Sequence, residues 1–572
     1  MKKILIIIFA ILLNVKAFAA PDAGKLLKQQ QELDKQKQLP KKIPKNLIKE
    51  GSQKQEQKKD TQKIYVKKFV FKGNRAFKDQ VLSQEIEEFY EKDLSFFEIQ
   101  NVALKIQKFY NKKGYFLATA IIPKQEVKDG IITILISEGK LSSTNPIILK
   151  SKQLRLSKEI PNLYLVNSLK KGLTQQGLER GLLNLNDNPG VAGTINLEPG
   201  DEPGSTRIIL DVVEGPLISG SFATDNYGSR YTGELRAVTS VQLNDPSKFG
   251  DQISFTNIQT PKENYNLNQV NYNFPIGRSG FRTTLSYTKL NYKIGKELET
   301  NPQSMGSAEL FTSNFKYPAL RTVNQSFFLE AGVDHKKLYN ETTGVKTSDK
   351  RLDNINIGFS LQNTDNFITT GFSQLSFTKT YGDLDLSRIA SSLTSDQGAG
   401  GAKTDGKFQK LNVELFRIQR VAEKLNLHVV ANFQHANKNL DSSEKMSLGG
   451  ASGVRAYPSG EASGDEGRRL SIDAKYNLIS GSKLGDVNLS IFYDYGKIKQ
   501  YKNTHDISMT TPNQYSLEGW GVSADLISSG IYFVKIGWAD AIGGNPGKTS
   551  AGKNNDGRGD SSRYWLMASV QF

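Results

Sequence analysis

Arg455 is the one cation of a glycine-rich stretch, Leu448 to Gly467, that reads LGGASGVRAYPSGEASGDEG. Further along, the segment FYDYG carries an acid, Asp494. A guanidinium and a carboxylate match as a two-point fork, so the chemistry these residues offer is non-covalent; by type alone they fit both a loop pinned to a wall and two charges solvated apart. Covalent chemistry has no comparable signal. The four histidines, His335, His428, His435 and His505, are dispersed without metal-ligand spacing, and no nucleophile elbow stands out. The phosphate-loop spacing, two glycines with four residues between them followed at once by Lys and then Ser or Thr, does not occur; in GGNPGKT the position it would need is Ile542. The expectation is a protein that is not an enzyme and takes no cofactor or metal.

The strand pattern says which wall is meant. In VNLSIFYDYG, Val487, Leu489, Ile491, Tyr493 and Tyr495 alternate onto one face and leave Phe492, Asp494 and Gly496 on the other. LNLHVVANF repeats the period with Leu425, Leu427, Val429, Ala431 and Phe433. The closing YWLMASVQF repeats it with Tyr564, Leu566, Ala568, Val570 and Phe572. From 216 to 572 such segments, separated by Gly, Asn, Asp and Ser, replace helical periodicity. The pattern predicts a membrane β-barrel with its aliphatic rows toward lipid, and roughly 22 residues per strand and connection give about 16 antiparallel strands. Phe492, Asp494 and Gly496 then face the lumen.

A barrel of this kind has to be exported first. Two lysines, an apolar run from Ile4 to Leu13, then Ala17, Phe18 and Ala19 have the order of a secretory signal over 1–19. The run is too short to cross roughly 30 Å of hydrocarbon as a helix. With no cysteine anywhere, stability has to come from packing and sheet closure. The net charge of +17 points to anionic partners. Export turns that reading away from nucleic acid and toward outer-membrane lipids or an acidic polypeptide.

Between leader and barrel the composition changes twice. Over 20–62, GKLLKQQQELDKQKQL, bounded by Pro21 and Pro40, predicts a short helix polar on every face, followed by a flexible linker. Residues 63–140 read as a compact α+β unit. IYVKKFVF is a strand, Lys78 to Tyr90 a helix, and Phe96 to Lys113 a second helix with Ile99, Val102, Ala103, Ile106 and Tyr110 on one face. Strands at about Phe116 to Ile122 and Ile131 to Glu138 close the unit around Lys128-Asp129-Gly130. Residues 141–215 repeat the idea with the helical run LTQQGLERGLLNLN and the strands GTINLEP and TRIILDVV. Open strand edges on such units accept a strand from a partner. Lys105, Lys108, Lys112, Lys170 and Lys171 are candidates for electrostatic attraction of that partner.

Taken in order, several segments resemble one known family. They are the Gln-rich stretch at Gln29 to Gln31, FVFKGN, KKGYFLATAIIPKQEVKDGIITILISEG, LERGLLNLNDNPG, LEPGDEPGS, DNYGSRYTG, VRAYPSGEASGDEG, FYDYG, IGGNPG and RYWLMASVQF. The family is that of the two-partner secretion transporters, TpsB or ShlB/FhaC/HecB-type haemolysin secretion/activation proteins, in the superfamily that includes BamA. The resemblance spans nearly the whole chain after the leader. It implies two periplasmic POTRA domains, 63–140 and 141–215, a barrel in the outer membrane over 216–572, and an N-terminal helix that plugs the lumen. It also implies that Val454, Arg455, Ala456 and Tyr457 ride on a loop folded back into the barrel, where Arg455 meets Asp494 of the Phe492 to Gly496 motif. Ala456 stands where the family often has Gly, and an alanine disfavours positive φ. The implied partner is a large secreted β-helical exoprotein of the TpsA type, a haemolysin or adhesin, bound through its N-terminal secretion domain. The rival within the superfamily is an outer-membrane protein assembly factor; two units and a Gln-rich leader favour secretion.

Overall fold

The structure, a computed structural model, describes residues 20–37, 63–151, 153–170, 172–202, 204–528 and 530–572. The leader over 1–19, the linker and Lys171 lie outside the described residues. The chain builds one helix, two α+β units and a barrel, in that order.

In the first unit the run IYVKKFVF divides between two sheets. β1 (Lys63–Val66) pairs antiparallel with β3 (Lys92–Ser95), while β2 (Lys68–Lys72) pairs parallel with β5 (Ile131–Ser137), which also holds β4 (Thr119–Ile121). Alternation buries Phe69 and Phe71 on β2 and Ile132, Ile134 and Ile136 on β5. The helix expected over Lys78 to Tyr90 is shorter: after α1 (Ala23–Lys37) near the N-terminus, α2 covers Asp79–Glu85 only. It stops because Ile86 leaves helical backbone, at φ −125°, with its side chain fully buried in the core. The first strand of the hairpin is also shorter than expected, since Phe116 and Leu117 turn away to pack on the second unit.

α3 (Phe96–Lys112) carries the predicted apolar face. It opens with a capping box, Ser95 N–H donating to Glu98 Oε2 at 2.7 Å and Glu98 N–H to Ser95 Oγ at 3.3 Å. The Ser95 backbone N–H and, at 2.8 Å, its hydroxyl both donate to the Glu98 carboxylate and hold it below its usual range. Gly114 ends the helix at φ +89°. Burial, reinforced by the Tyr110 hydroxyl donating to Glu138 at 2.9 Å, pushes the Tyr110 phenol up.

The second unit sets β6 (Lys140–Leu141) and β7 (Ile147–Leu149) parallel to β9 (Ser205–Glu214), with β8 (Val191–Pro199) antiparallel on its other side. A helix absent from the sequence reading, α4 (Glu159–Ser168), packs on α5 (Gln175–Asn186). They meet at Gly181, where a Cβ would lie 2.8 Å from Leu165 Cδ2. α5 also fixes the unit to the barrel base. Arg180 Nη2 donates to the Pro318 carbonyl at 2.8 Å, and Arg321 reaches Asp187 just past its end at 2.6 Å.

The barrel closes from sixteen antiparallel strands. The first eight are β10 (Ile218–Asp225), β11 (Arg236–Asn244), β12 (Gln252–Gln259), β13 (Tyr265–Pro275), β14 (Arg282–Lys293), β15 (Met305–Arg321), β16 (Gln325–Thr342) and β17 (Val345–Asp365). β18 (Gly371–Asp385), β19 (Gly406–Ala422) and β20 (Leu425–Ala436) follow, with the short helix α6 (Ala390–Gln397) between the first two. After a loop that holds the two-residue strands β21 (Met446–Ser447) and β22 (Ser463–Gly464) come β23 (Glu466–Ser482), β24 (Gly485–Lys499), β25 (Gln514–Ser528), β26 (Tyr532–Ala541) and β27 (Ser562–Gln571). β27 returns to β10 and completes the ring. Period two holds throughout: on β24, Leu489, Ile491 and Tyr493 are exposed outward while Phe492 and Asp494 are buried inward. Among the described residues no helix is long and apolar enough to cross a membrane.

α1 (Ala23–Lys37) lies inside the barrel, and here the expectation of a helix polar on every face is corrected. Ala23, Leu26 and Leu27, spaced i, i+3 and i+4, bury against Leu267, Leu290, Leu310 and Leu338 on the inner wall. The lumen is therefore not uniformly aqueous. One side of it offers a leucine surface, and three small or aliphatic side chains suffice to seat a helix there. Polar contacts set its axial position: Ala23 N–H donates to Asn340 Oδ1 at 3.0 Å, and Arg236 Nη1 to Gln30 Oε1 at 2.9 Å.

Replacing Ser95 with Ala removes the side-chain half of the α3 capping box, leaving the backbone N–H of residue 95 to donate to Glu98, and is expected to destabilise the first unit by about 1 kcal/mol. Denaturant unfolding of that unit measures it. The Glu98 share of this stability is present above the ordinary glutamate pKa and is lost as pH falls through the lowered folded value, so the parent unit loses more stability on acidification than the Ser95→Ala variant.

Candidate functional site: a lumen loop pinned to the barrel wall

The connection 437–465 between β20 and β23 folds inward instead of standing away from the barrel. β21 and β22 zip its two limbs together, and Leu448 N–H donates to the Ala462 carbonyl at 3.0 Å. The tip beyond them turns back on itself so closely that a Cβ at Gly453 would lie 1.8 Å from the Leu448 carbonyl oxygen. Only glycine fits there. The left-handed positions of the loop are Gly450, Gly460 and Ala462, and Ala456 is not one of them. Alanine at 456 therefore carries no backbone penalty.

The tip is wedged by apolar contact before any charge is considered. Val454, Ala456 and Tyr457 bury with Leu448, Phe492, Leu517 and Ala539 in one cluster between loop and wall. Two wall glycines make the room. A Cβ on Gly496 would lie 2.9 Å from Leu448 Cδ2, and one on Gly519 would lie 2.6 Å from the Ala456 methyl. The Phe492 to Gly496 motif thus alternates a ring, a carboxylate and a gap along one inward face.

Leu448 and Val454 fill that gap, and beside it the loop delivers Arg455 to the ring and the carboxylate. Its Nε donates to Asp494 Oδ2 at 2.8 Å and its Nη2 to Asp494 Oδ1 at 2.7 Å, while the backbone N–H of Arg455 donates to the same carboxylate at 3.0 Å. The outer edge of the guanidinium is held by a second acid, Asp473 on β23, at 3.0 Å and 2.6 Å. Its face lies 3.4 Å over the Phe492 ring centroid, and the Arg455 carbonyl accepts from Trp565 Nε1 on β27 at 2.7 Å. Asp494 has no exposed side-chain surface, whereas Asp473 keeps 24%. A buried cation with two carboxylates and a ring face is fully partnered, and this is the arrangement that makes a buried ion pair tolerable.

Asp473 is absent from the sequence reading. β23 pairs with β24 so that Asp473 sits across from Phe492 and Ser471 across from Asp494, which makes the two acids diagonal neighbours on the inner face. Their proximity depends on the register between strands, although the inward alternation of Ser471 and Asp473 is legible in RRLSIDAKYNL. The lysines proposed for partner attraction divide. Lys105 pairs with Glu88 at 2.6 Å and lies over the Phe89 ring, so it ties its own unit together. Lys108, Lys112 and Lys170 are exposed.

Beside α1 the lumen holds a cavity of about 760 Å³. Across β12 to β19 its wall is mostly amide and hydroxyl, with Gln269, Asn271, Thr288, Asn314, Asn356 and Thr380 as examples. The arrangement as a whole binds and positions: Lys35, Lys336 and Lys410 hold the helix or the loop, while Lys316 and Glu330 pair with each other across the wall.

Comparison with known proteins agrees with this architecture. Residues 204–525 match the family described as haemolysin secretion/activation protein ShlB/FhaC/HecB, and residues 64–139 match the ShlB-type POTRA domain. The heme/hemopexin transporter protein HuxB of Haemophilus influenzae (strain 86-028NP) is 26% identical over 490 residues, 84% of this chain and 82% of that one. The outer membrane transporter CdiB of Escherichia coli O6:K15:H31 (strain 536 / UPEC) is 23% identical over 428 residues, 73% and 68% of the two chains. The solved structure of CdiB from Escherichia coli superposes with a TM-score of 0.77 at 19% identity, over 95% of this chain and 97% of that one.

Arg455→Ala leaves Asp494 buried without its partner and is expected to weaken the hold on the loop by about 3–5 kcal/mol. Asp473→Asn, at a part-exposed carboxylate with Asp494 still in place, is expected to cost about 1 kcal/mol. Emission from Trp565, whose indole is bonded to the loop, reports the release during a denaturant titration.

Proposed function

The chain belongs to the haemolysin secretion/activation family ShlB/FhaC/HecB, outer-membrane transporters that export exoproteins by two-partner secretion, and from that premise we propose how this lumen serves export. The reading rests on one observation above the rest: the pore of the barrel is filled by two pieces of the same chain, α1 and the loop 437–465, held by non-covalent contacts alone.

Arg455 is a positional latch. Asp494 and Asp473 hold the guanidinium, Phe492 backs it, and the apolar wedge of Val454, Ala456 and Tyr457 fixes the tip laterally. Ion pairs of this kind exchange partners without chemistry, so the tip can be set and reset by competition for two carboxylates. The substrate is a large β-helical exoprotein, a haemolysin or adhesin, that enters through its N-terminal secretion domain. The two units over 63–140 and 141–215 capture it from the periplasm. An extended segment adds to a free sheet edge, such as that of β2 or β8, through main-chain hydrogen bonds, and the exposed Lys108 and Lys112 add attraction. No group in the lumen supplies energy, and folding of the exported chain outside prevents its return.

Two experiments test this. In cells that co-express the cognate exoprotein, Arg455→Ala is expected to cut secretion at least tenfold while the barrel still inserts and migrates as a folded species; normal export removes the loop from the mechanism. A fragment of residues 63–215 is expected to retain the exoprotein's N-terminal domain in a pull-down, and failure to retain it counts against capture by these units.

A further inference from the structure

The tip of the loop leans forward onto β23 and β24, and its first limb leans the other way. Between β20 and β21 the limb carries Asp441 and Glu444, both fully inside the barrel. Glu444, 2% exposed, is gripped from three strands. Lys336 of β16 donates to its Oε1, Lys410 of β19 lies 2.5 Å from its Oε2, and Asn354 of β17 donates to it at 3.1 Å. The backbone carbonyl of Glu444 accepts from Gln434 Nε2 at 3.0 Å, and Asp441 is held by Lys350 of β17 at 2.6 Å. Neither acid belongs to the Arg455 site.

The same limb touches the plug. A Cβ on Gly24 of α1 would lie 2.7 Å from Ser442 Oγ and 2.9 Å from Ser443 N, so the helix rests on 442–443 through a residue with no side chain. The Ser442 hydroxyl donates to Asp22 Oδ1 at 2.8 Å, the oxygen that also caps the helix through Lys25 N–H. Lys28 of the helix lines the same cavity as Lys336, Lys410 and Glu444. Lys336 and Lys410 therefore meet on one carboxylate, and Lys28 faces the same cavity together with Glu32 and Asp334.

We propose that Glu444 is a second fixing point of the lumen loop and that the limb it fixes is the seat of the plug helix, so that releasing the limb unseats the helix. This deepens the export reading above and rests on it for the view that the lumen must clear. The physical content is charge balance. With Glu444 in place, Lys336 and Lys410 are neutralised and Lys28 has an acid to face. With Glu444 withdrawn or made neutral, the three lysines repel one another across a confined space, and Lys28 is the one on a movable element. Loop and helix are coupled through this residue, which acts as a positioning residue and touches no substrate.

The absence of cysteine makes a single thiol a clean reporter. Leu26→Cys places it on the helix face buried against the inner wall, where a maleimide reaches it only when the helix lifts. In the full-length protein in detergent, Glu444→Gln is expected to raise the labelling rate at least tenfold over the Leu26→Cys parent. Glu444→Asp is expected to stay within twofold, and the exchange Lys336→Glu with Glu444→Lys to return toward the parent rate. A Glu444→Gln rate equal to the parent's, in protein whose electrophoretic mobility shows a folded barrel, overturns the proposal; so does an exchange that labels as fast as Glu444→Gln. Should Glu444→Gln fail to insert, Lys336→Gln is read in its place: a smaller rise is expected, and none overturns the proposal. Arg455→Ala assayed for secretion in parallel separates the two readings, because intact export there defeats the latch and leaves the helix seat standing.

Discussion

In hydrocarbon a backbone N–H or C=O without a partner costs several kcal/mol, and the rest of this structure follows from how the chain meets that constraint. The sheet has no free edge because β27 returns to β10. Closing sixteen strands creates an interior too wide for their own side chains to fill, unlike a barrel of eight. Something else must occupy it if the outer membrane is to stay sealed, and the chain uses its own N-terminal helix and one inward loop. The buried charges, the wall glycines and the leucine surface under α1 are all answers to that one problem.

The two occupants are held by different physics. The helix meets the wall through aliphatic burial on one side, with Ala23, Leu26 and Leu27 against leucines of β13 to β16, through amide contacts at its start and middle, and through Lys35, which pairs with Glu414 at 2.6 Å near its end. The loop is held by carboxylate and cation pairs sheltered from water, with an apolar wedge at its tip. Apolar contact is tolerant of sliding, whereas a bidentate pair is specific in position. The leucine surface therefore decides which side of the lumen the helix lies against, its polar contacts decide how far along, and the bidentate pair sets the loop in register.

Much of this was legible in the sequence, and the limits have a common cause. Alternation on β24 placed Phe492, Asp494 and Gly496 on one face, and the glycine-rich surroundings of Arg455 marked a loop able to turn tightly. Properties local to one strand or one helix could be read that way. The apolar stripe on α1 escaped because three residues among lysines and glutamines hardly raise the mean hydropathy, although their i, i+3, i+4 spacing was present. Asp473 beside Asp494 needs the register of β23 on β24, and Glu444 between Lys336 and Lys410 needs contacts across many strands. Neither leaves a mark in local spacing. IYVKKFVF illustrates the converse: continuous as a pattern, it is split between two sheets at Lys67, whose N–H donates to the Gly130 carbonyl at 2.8 Å.

The amide and hydroxyl lining of β12 to β19 has a consequence for motion. A polypeptide passing such a wall exchanges one weak hydrogen bond for the next, each much like the last and each easily replaced by water. No single station is deep enough to trap it. Where the lining charges are paired, as Lys316 is with Glu330 at 3.3 Å, they add little pull of their own, and on the amide stretches between them the friction felt depends more on the length of chain inside than on its sequence.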